Sequence, residues 1–582
     1  VAALRCGEGW GEGGAPLPRA ASVALRWILL ALPLLLAVQV LALRSVRLVL
    51  DVSSSEFVPL GDLFLALTLL TLPTGVLLGL AFPLTCRALE EAAPAPGGVA
   101  AGWVVGLVSR TYVADAMGAL LGGVLFTFVL IRWLGTTQTL GLVAAAMALT
   151  AAALQPPPGR RRQLAWLPWT LALAAFTLSL PPLAARLDRT LEAWRFATLQ
   201  PGMELLDALD TRYGHVAVAR LGGQTSVVGD GQIQQSFPLP LEVERDAAFF
   251  YAEAQGAQRV LLLGGYASGL AAGLLGYPLQ RVDQVEQDQV AFERVKPYLD
   301  DAARRGLEDP RLVLHFADGR RFLRRLGEGE RYDLILSLDA TPSSAASNRY
   351  FTREAFALIR EHLGKDGVFC TQVSAASNYL GRAVGGYAGS VYRTLGEVFS
   401  HIVVVPGDVQ VLCASDSAGR LTDDPAELQR RYLETDLAAH RLPVGTFASM
   451  LPRQEVTFLR EQLDQARSVS EVNLDARPVT YYLNMILWGK FSASAFVDWL
   501  EGLHRLGPWP YLIPPLLFVA LWLLRAAIEG RGSAVQSAPA GIFALAVLGL
   551  IAMAAQLALL FSYQAQVGLV FERVALLNGL FM

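Results

Sequence analysis

The stretch VLLLGGYASGLAAGLLGYP, residues 260–278, admits two incompatible readings, and the choice between them decides the fold. It lies in an uncharged run between Arg259 and Arg281, long enough to cross a bilayer, and Gly265, Gly269 and Gly273 repeat at the spacing of a membrane-helix packing face. A valine and three leucines running into a double glycine also describe a strand that feeds a ligand-binding turn. The downstream sequence selects the second reading. Arg281–Glu286 has the pattern of a short strand ending in an acid, and Glu286 stands 21 positions after Gly265, about the distance at which nucleotide-binding folds place a ribose-binding carboxylate. A helix over Val290–Leu299 follows. Further strands are expected in RLVLHFADG, ending at Asp318-Gly319, and in YDLILSLDATP, DGVFCTQV, HIVVV and VQVLCAS. Strands and helices alternating at this rhythm predict a doubly wound α/β sheet, with Gly264 and Gly265 in a loop at its ligand-binding edge.

The apolar residues of the chain come in blocks. Of 582 residues, 53% are hydrophobic and 17% charged, with a mean hydropathy of +0.40, which is high for a globular chain without membrane segments. Uncharged runs at Trp27–Leu43, Leu63–Cys86, Thr111–Ile131, Thr136–Leu154 and Gln163–Leu183 each approach the length of a membrane span, and Leu506–Leu524 and Gly541–Tyr563 do so again. The expected organisation is a disordered tail (1–22), a membrane domain of five helices (23–184), a soluble portion (190–505) and C-terminal membrane helices (506–582). Starting at Val1 and stopping in an apolar run, the chain reads as truncated at both ends. Arg160, Arg161 and Arg162 in the loop after the fourth run mark that loop as cytoplasmic, so five spans would put the soluble portion on the extracytoplasmic side. The net charge of −3 supplies no basic field for nucleic acid, and four scattered cysteines and six histidines show no metal-ligand spacing.

In the soluble portion, TRYGHVAVARLGGQTSVVGDGQIQQSFP, then VLLLGG, VEQD, FADG and NRYFTREAF, together resemble the polyamine aminopropyltransferases, the spermidine synthase family. YVADAMGALLGGVLF and NLDARPVTYYLNMILWG are similar to its bacterial membrane-fused branch. The resemblance implies a methyltransferase-like (Rossmann-like) α/β domain at 241–505, an N-terminal β-subdomain at 190–240, and flanking transmembrane helices in a bacterial inner membrane. It implies no tightly bound cofactor, decarboxylated S-adenosylmethionine as co-substrate and a polyamine as acceptor. A homodimer is expected on the same ground. Carried over residue by residue, Glu286 matches the ribose-binding acid and Asp318-Gly319 the adenine-side acid and its glycine. Gly264 and Gly265 match the glycine loop, and Asp230-Gly231 with Gln234 the pocket edge.

The amine side departs from the family. Ala267 stands where the glycine loop carries a substrate-anchoring aspartate. With Asp333 and Pro342 as anchors, Leu338 and Thr341 stand at the two aspartates of the catalytic loop, and Asp339 is one residue off the first. Gly214 replaces a glutamine after Tyr213, and Ala248 stands near an expected Tyr-His or Tyr-Gln pair. Aminopropyl transfer needs a neutral amine, so a carboxylate must hold it and take its proton. The candidates are Asp339 and, on the segment before the glycine strand, Glu242, Glu244 and Asp246. Two functions therefore stand from the sequence: an aminopropyltransferase with Asp339 as base, or a nucleoside- or thioether-binding domain without catalysis, coupled to membrane helices as a sensor or transporter part.

Overall fold

The computed structural model describes residues 20–50, 58–92, 100–130, 133–154, 165–327, 329–338, 344–374, 382–491, 509–529 and 538–567, with single residues or pairs at 52, 342, 497–498, 502, 506 and 578. The chain forms two compact units, one of residues 1–53, 62–198 and 572–582, the other of residues 54–61 and 199–571.

In the second unit, β1 (Glu204–Asp210), β2 (His215–Leu221), β3 (Gln224–Gly229) and β4 (Gln232–Phe237) make an antiparallel meander. This sheet begins at Glu204 within the 190–240 range read as a β-subdomain, and residues 190–199 end the helix Pro181–Leu199. Next come β5 (Arg259–Leu263), β6 (Arg281–Glu286), β7 (Leu312–Phe316), β8 (Tyr332–Ser337), β9 (Leu363–Ser374), β10 (His401–Val405) and β11 (Val409–Ser415). They form one sheet in the order β10-β11-β9-β8-β5-β6-β7, parallel from β9 to β7, with β11 antiparallel to both neighbours. This is the α/β sheet expected from the alternation of elements, with the methyltransferase-like form that the resemblance implied.

The apolarity of 260–263 is that of a central strand covered on both faces. Val260 and Leu262 pack with the helix Pro240–Glu253 and with Leu334 and Leu336. Leu261 and Leu263 point the other way, into a cluster with Ile335 and Phe369. All four are buried, each contributing about 1.5–3 kcal/mol of hydrophobic free energy. Strand order reverses between β5 and β8, so their carboxyl ends open the crevice where ligands of such sheets bind.

Cys370 on β9 and Cys413 on β11 are direct partners in the antiparallel register and form a buried disulfide. Nothing in their separation of 43 residues signals it.

In the first unit, the helices Ala20–Arg44, Gly61–Glu90, Gly106–Leu130 and Thr136–Ala153 are long and apolar enough to cross a membrane. The expected fifth span is a helix Leu167–Leu178 that bends by 76° into Pro181–Leu199. The shorter helix runs antiparallel along Thr136–Ala153. At one end Arg26 donates to the carbonyls of Leu154 and Ala165; at the other Gln138 donates to Ser179 O and Thr137 to Asp188. Gly141 permits this approach, since a Cβ there would come within 2.8 Å of Ala175 O. The bend comes at Pro181-Pro182, where a helix cannot continue unbroken and charged residues begin. In the second unit the two C-terminal apolar runs form helices Trp509–Glu529 and Ala538–Val567.

Candidate functional site

Beyond β5 the chain turns sharply, with φ of +80° at Gly264, +84° at Gly265 and +72° at Gly269, values that glycine alone adopts without strain. Gly264 N donates to Val285 O, tying the turn to the end of β6. Gly265 is under a second demand: a Cβ would lie 2.4 Å from Leu338 Cδ1. Ser268 closes the turn by donating to Gly265 O at 2.7 Å.

A cavity of about 220 Å³ opens at these strand ends. Gly264 forms part of its wall with Glu286 from the end of β6, and Asp230 and Gln234 face it from the β-subdomain. Gly319 and Tyr350 line its remaining side. The structure thus brings together five of the residues assigned from the sequence: Gly264, Glu286, Asp230, Gln234 and Gly319. Gly265 lines a narrow recess beside it.

Glu286 is 4% exposed and accepts a bond from Gln284 Nε2 at 2.8 Å, which orients the carboxylate. Asp288 caps the helix Gln289–Val295, accepting from Val290 N and Ala291 N. Burial raises the pKa of the Tyr266 hydroxyl, and the carboxylates of Glu286 and Asp288 push the same way, so Tyr266 stays a neutral donor at the wall. Asp230 takes φ +50° in the β3–β4 turn and accepts from His215 N at 3.0 Å. Its carboxylate lies about 3.0 Å from where a Gly214 Cβ would be, so a glutamine would not fit at 214 without displacing it. His215 Nδ1 meets Asp210 Oδ1 at 2.7 Å; a carboxylate only accepts, so Nδ1 carries the proton.

Asp318, the adenine-side acid of the resemblance, is held by three neighbours. One carboxylate oxygen caps the helix Gly319–Arg325 through Arg321 N; the other accepts from the Tyr350 hydroxyl at 3.0 Å and pairs with Arg349. Its neighbours Ala317 and Gly319 and its partner Tyr350 line the cavity; Asp318 stands behind them. Arg349 and Tyr350 were legible only as part of NRYFTREAF, and no spacing rule connects them to Asp318.

On the amine side, Ala267 is 1% exposed in an apolar cluster with Val218, Val227, Phe237, Val295 and Leu299. Leu338 packs over Gly265. Glu242, Glu244 and Asp246 lie on the helix Pro240–Glu253 and outside the cavity wall. Burial raises the pKa of Asp246 against the opposing pull of Arg245, which donates to it at 2.8 Å. Asp339 and Thr341 lie outside the described residues. Among the described residues no group of three His, Cys, Asp or Glu side chains could hold a metal ion.

The family model for the Spermine/spermidine synthase domain matches residues 247–400. A polyamine aminopropyltransferase of Corynebacterium efficiens is 28% identical over 327 residues, covering 55% of this chain and 61% of that protein. The polyamine aminopropyltransferase of Lachnospira eligens is 32% identical over 215 residues, 36% of this chain and 72% of that protein. Among solved structures, the spermidine synthase of Thermotoga maritima aligns over 45% of this chain and 88% of its own, at 18% identity and a TM-score of 0.37. From its matched domain and relatives of this similarity, the chain belongs to the polyamine aminopropyltransferase family.

Proposed function

We propose that the chain is a membrane-bound spermidine-synthase-like enzyme that transfers an aminopropyl group from decarboxylated S-adenosylmethionine to an amine, with the donor's nucleoside in the cavity beside Glu286. The observation that carries this reading is a buried, oriented carboxylate at the end of β6, next to a left-handed glycine turn at the end of β5. In this reading Glu286 accepts both ribose hydroxyls, Gly264 and Gly265 let the backbone approach the ligand, and Asp230 and Gln234 cover it. Gly319 and the Asp318–Tyr350 pair close the base end, and Asp339 takes the proton from the amine. The donor is a co-substrate rather than a resident group.

The test uses the full chain in detergent or nanodiscs. Methylthioadenosine should bind, and Glu286→Ala should weaken it about 10- to 100-fold, the worth of losing hydrogen bonds to an ionised acceptor. Decarboxylated S-adenosylmethionine and putrescine should yield methylthioadenosine, and Asp339→Asn should abolish the yield. Failure to bind methylthioadenosine sinks the reading.

One set of observations favours a second reading, binding without transfer: Leu338 covers Gly265, and Ala267 lies in an apolar cluster. Binding with no product would select it.

The four long apolar helices support a multi-pass location in a bacterial inner membrane. We place the soluble domain on the side opposite Arg160–Arg162. This reading takes the bent pair Leu167–Leu178 and Pro181–Leu199 as a fifth crossing, and one observation supports it: a buried disulfide suits an oxidising compartment. That side also favours the second reading, because the donor is a cytosolic metabolite.

A further inference from the structure

The segment Asn473–Tyr481 takes no part in the cavity wall, yet it is bonded to both elements that form the wall's base end. Buried Asn473 and Asn348 exchange side-chain amide bonds of 3.2 and 3.3 Å. Asn348 Oδ1 also accepts from Thr480 Oγ1 and from Tyr481 N. Asn473 donates to Phe351 O at 3.0 Å, and its own carbonyl accepts from Arg353 N at 2.9 Å. Two residues on, Asp475 receives both arms of the Arg320 guanidinium at 2.8 and 2.7 Å and the Thr352 hydroxyl at 2.7 Å. Burial disfavours its ionisation, but the bonds from Arg320 and Thr352 prevail and hold its carboxyl below the ordinary value. Between Asn473 and Asp475 the backbone of Leu474 begins a tight turn, exchanging bonds with Arg477.

These anchors bracket the base end. Arg320 follows Gly319 on the helix that Asp318 caps, and Asn348 and Thr352 stand two residues either side of Tyr350. Gly319 and Tyr350 line the cavity, so any ligand that shifts them bears on Asp475 and Asn473. A bidentate pair and a satisfied buried amide network each hold one arrangement and lose energy in any other. The segment then continues directly into the helix Val479–Phe491.

We infer that Asn473–Tyr481 is a positioning arm: it sets Gly319 and Tyr350 at the base end of the cavity and couples occupancy of the cavity to the helix Val479–Phe491. The inference rests on the nucleoside reading of the cavity. Coupling of this kind is reciprocal, so what the arm does to affinity, the ligand does to the arm.

The test is hydrogen exchange on the full chain in nanodiscs, with and without saturating methylthioadenosine, beside binding constants for Asp475→Asn. In the wild type the ligand should slow exchange across residues 479–491. Asp475→Asn should weaken binding by a factor within about 5- to 150-fold, the usual range of coupling between sites, and at saturation should lose the slowing. Thr352→Val, which leaves the Arg320 pair intact, supplies a milder variant with a loss in the same direction should Asp475→Asn not fold. Both variants binding within twofold of wild type, or unchanged exchange at saturation, would overturn the arm while leaving the nucleoside reading standing. A wild type that binds no methylthioadenosine removes both.

Discussion

Replacing Ala267 with aspartate would give the glycine turn the acid that the family resemblance implies there, and the structure predicts damage rather than repair. Ala267 is 1% exposed, and its cluster partners Val218, Val227, Phe237, Val295 and Leu299 are apolar. A carboxylate placed among them would face apolar side chains. Leaving a buried charge uncompensated costs about 3–5 kcal/mol, and neutralising it instead requires a pKa rise of about 3 units, which is about 4 kcal/mol at neutral pH. At about 2–4 °C per kcal/mol for a large domain, the melting temperature should fall by about 10 °C. The deficit carries a pH signature. The folded-state pKa of the new acid is raised, so the penalty begins above its ordinary value and grows as pH rises; Ala267→Asp should be closer to wild type at pH 5 than at pH 8. Thermal unfolding of the full chain in detergent, followed by tryptophan fluorescence at both pH values, measures this. A variant that melts within 2 °C of wild type and forms more product with putrescine would refute the reasoning, because position 267 would then face ligand rather than core.

One further outcome follows from another buried group and one from the membrane topology. Glu253 is fully buried and accepts from Thr422 N at 3.1 Å, with Arg431 4.0 Å away. Burial pushes its carboxyl up to about 8 from an ordinary value of 4.5, so the folded state binds a proton that the unfolded state has released. Stability should therefore decline as pH rises from 4.5 to about 8, and Glu253→Gln should flatten that decline in urea titrations across the range; an unchanged slope would contradict it. For the membrane side, a fusion after Arg195 should be active with alkaline phosphatase and dark with green fluorescent protein. The reverse pattern would place the domain in the cytoplasm.

How much was readable in advance depended on the distance over which the information acts. The strand at 260–263, its glycine turn and the acid 21 positions on were legible, because strand periodicity and the positive φ of turn glycines are local properties. The run of membrane-like apolarity had the same local cause, a strand covered on both faces. The family resemblance named Glu286, Asp230 and Gln234, and the two sheets together bring all three to one cavity.

What the sequence determined by itself was the alternation of elements, the apolar helices and the residue types that line the cavity. Only the tertiary structure paired Cys370 with Cys413, because the β9–β11 register sets that contact. It placed Arg349 against Asp318 and joined Asn473 to Asn348 across 125 residues. It also turned Ala267 into an apolar cluster, an orientation that no motif records. Spacing along a chain encodes which way a side chain points within its own strand or turn. Which partner it meets is decided by sheet order, register and the docking of distant segments, and those are properties of the whole fold.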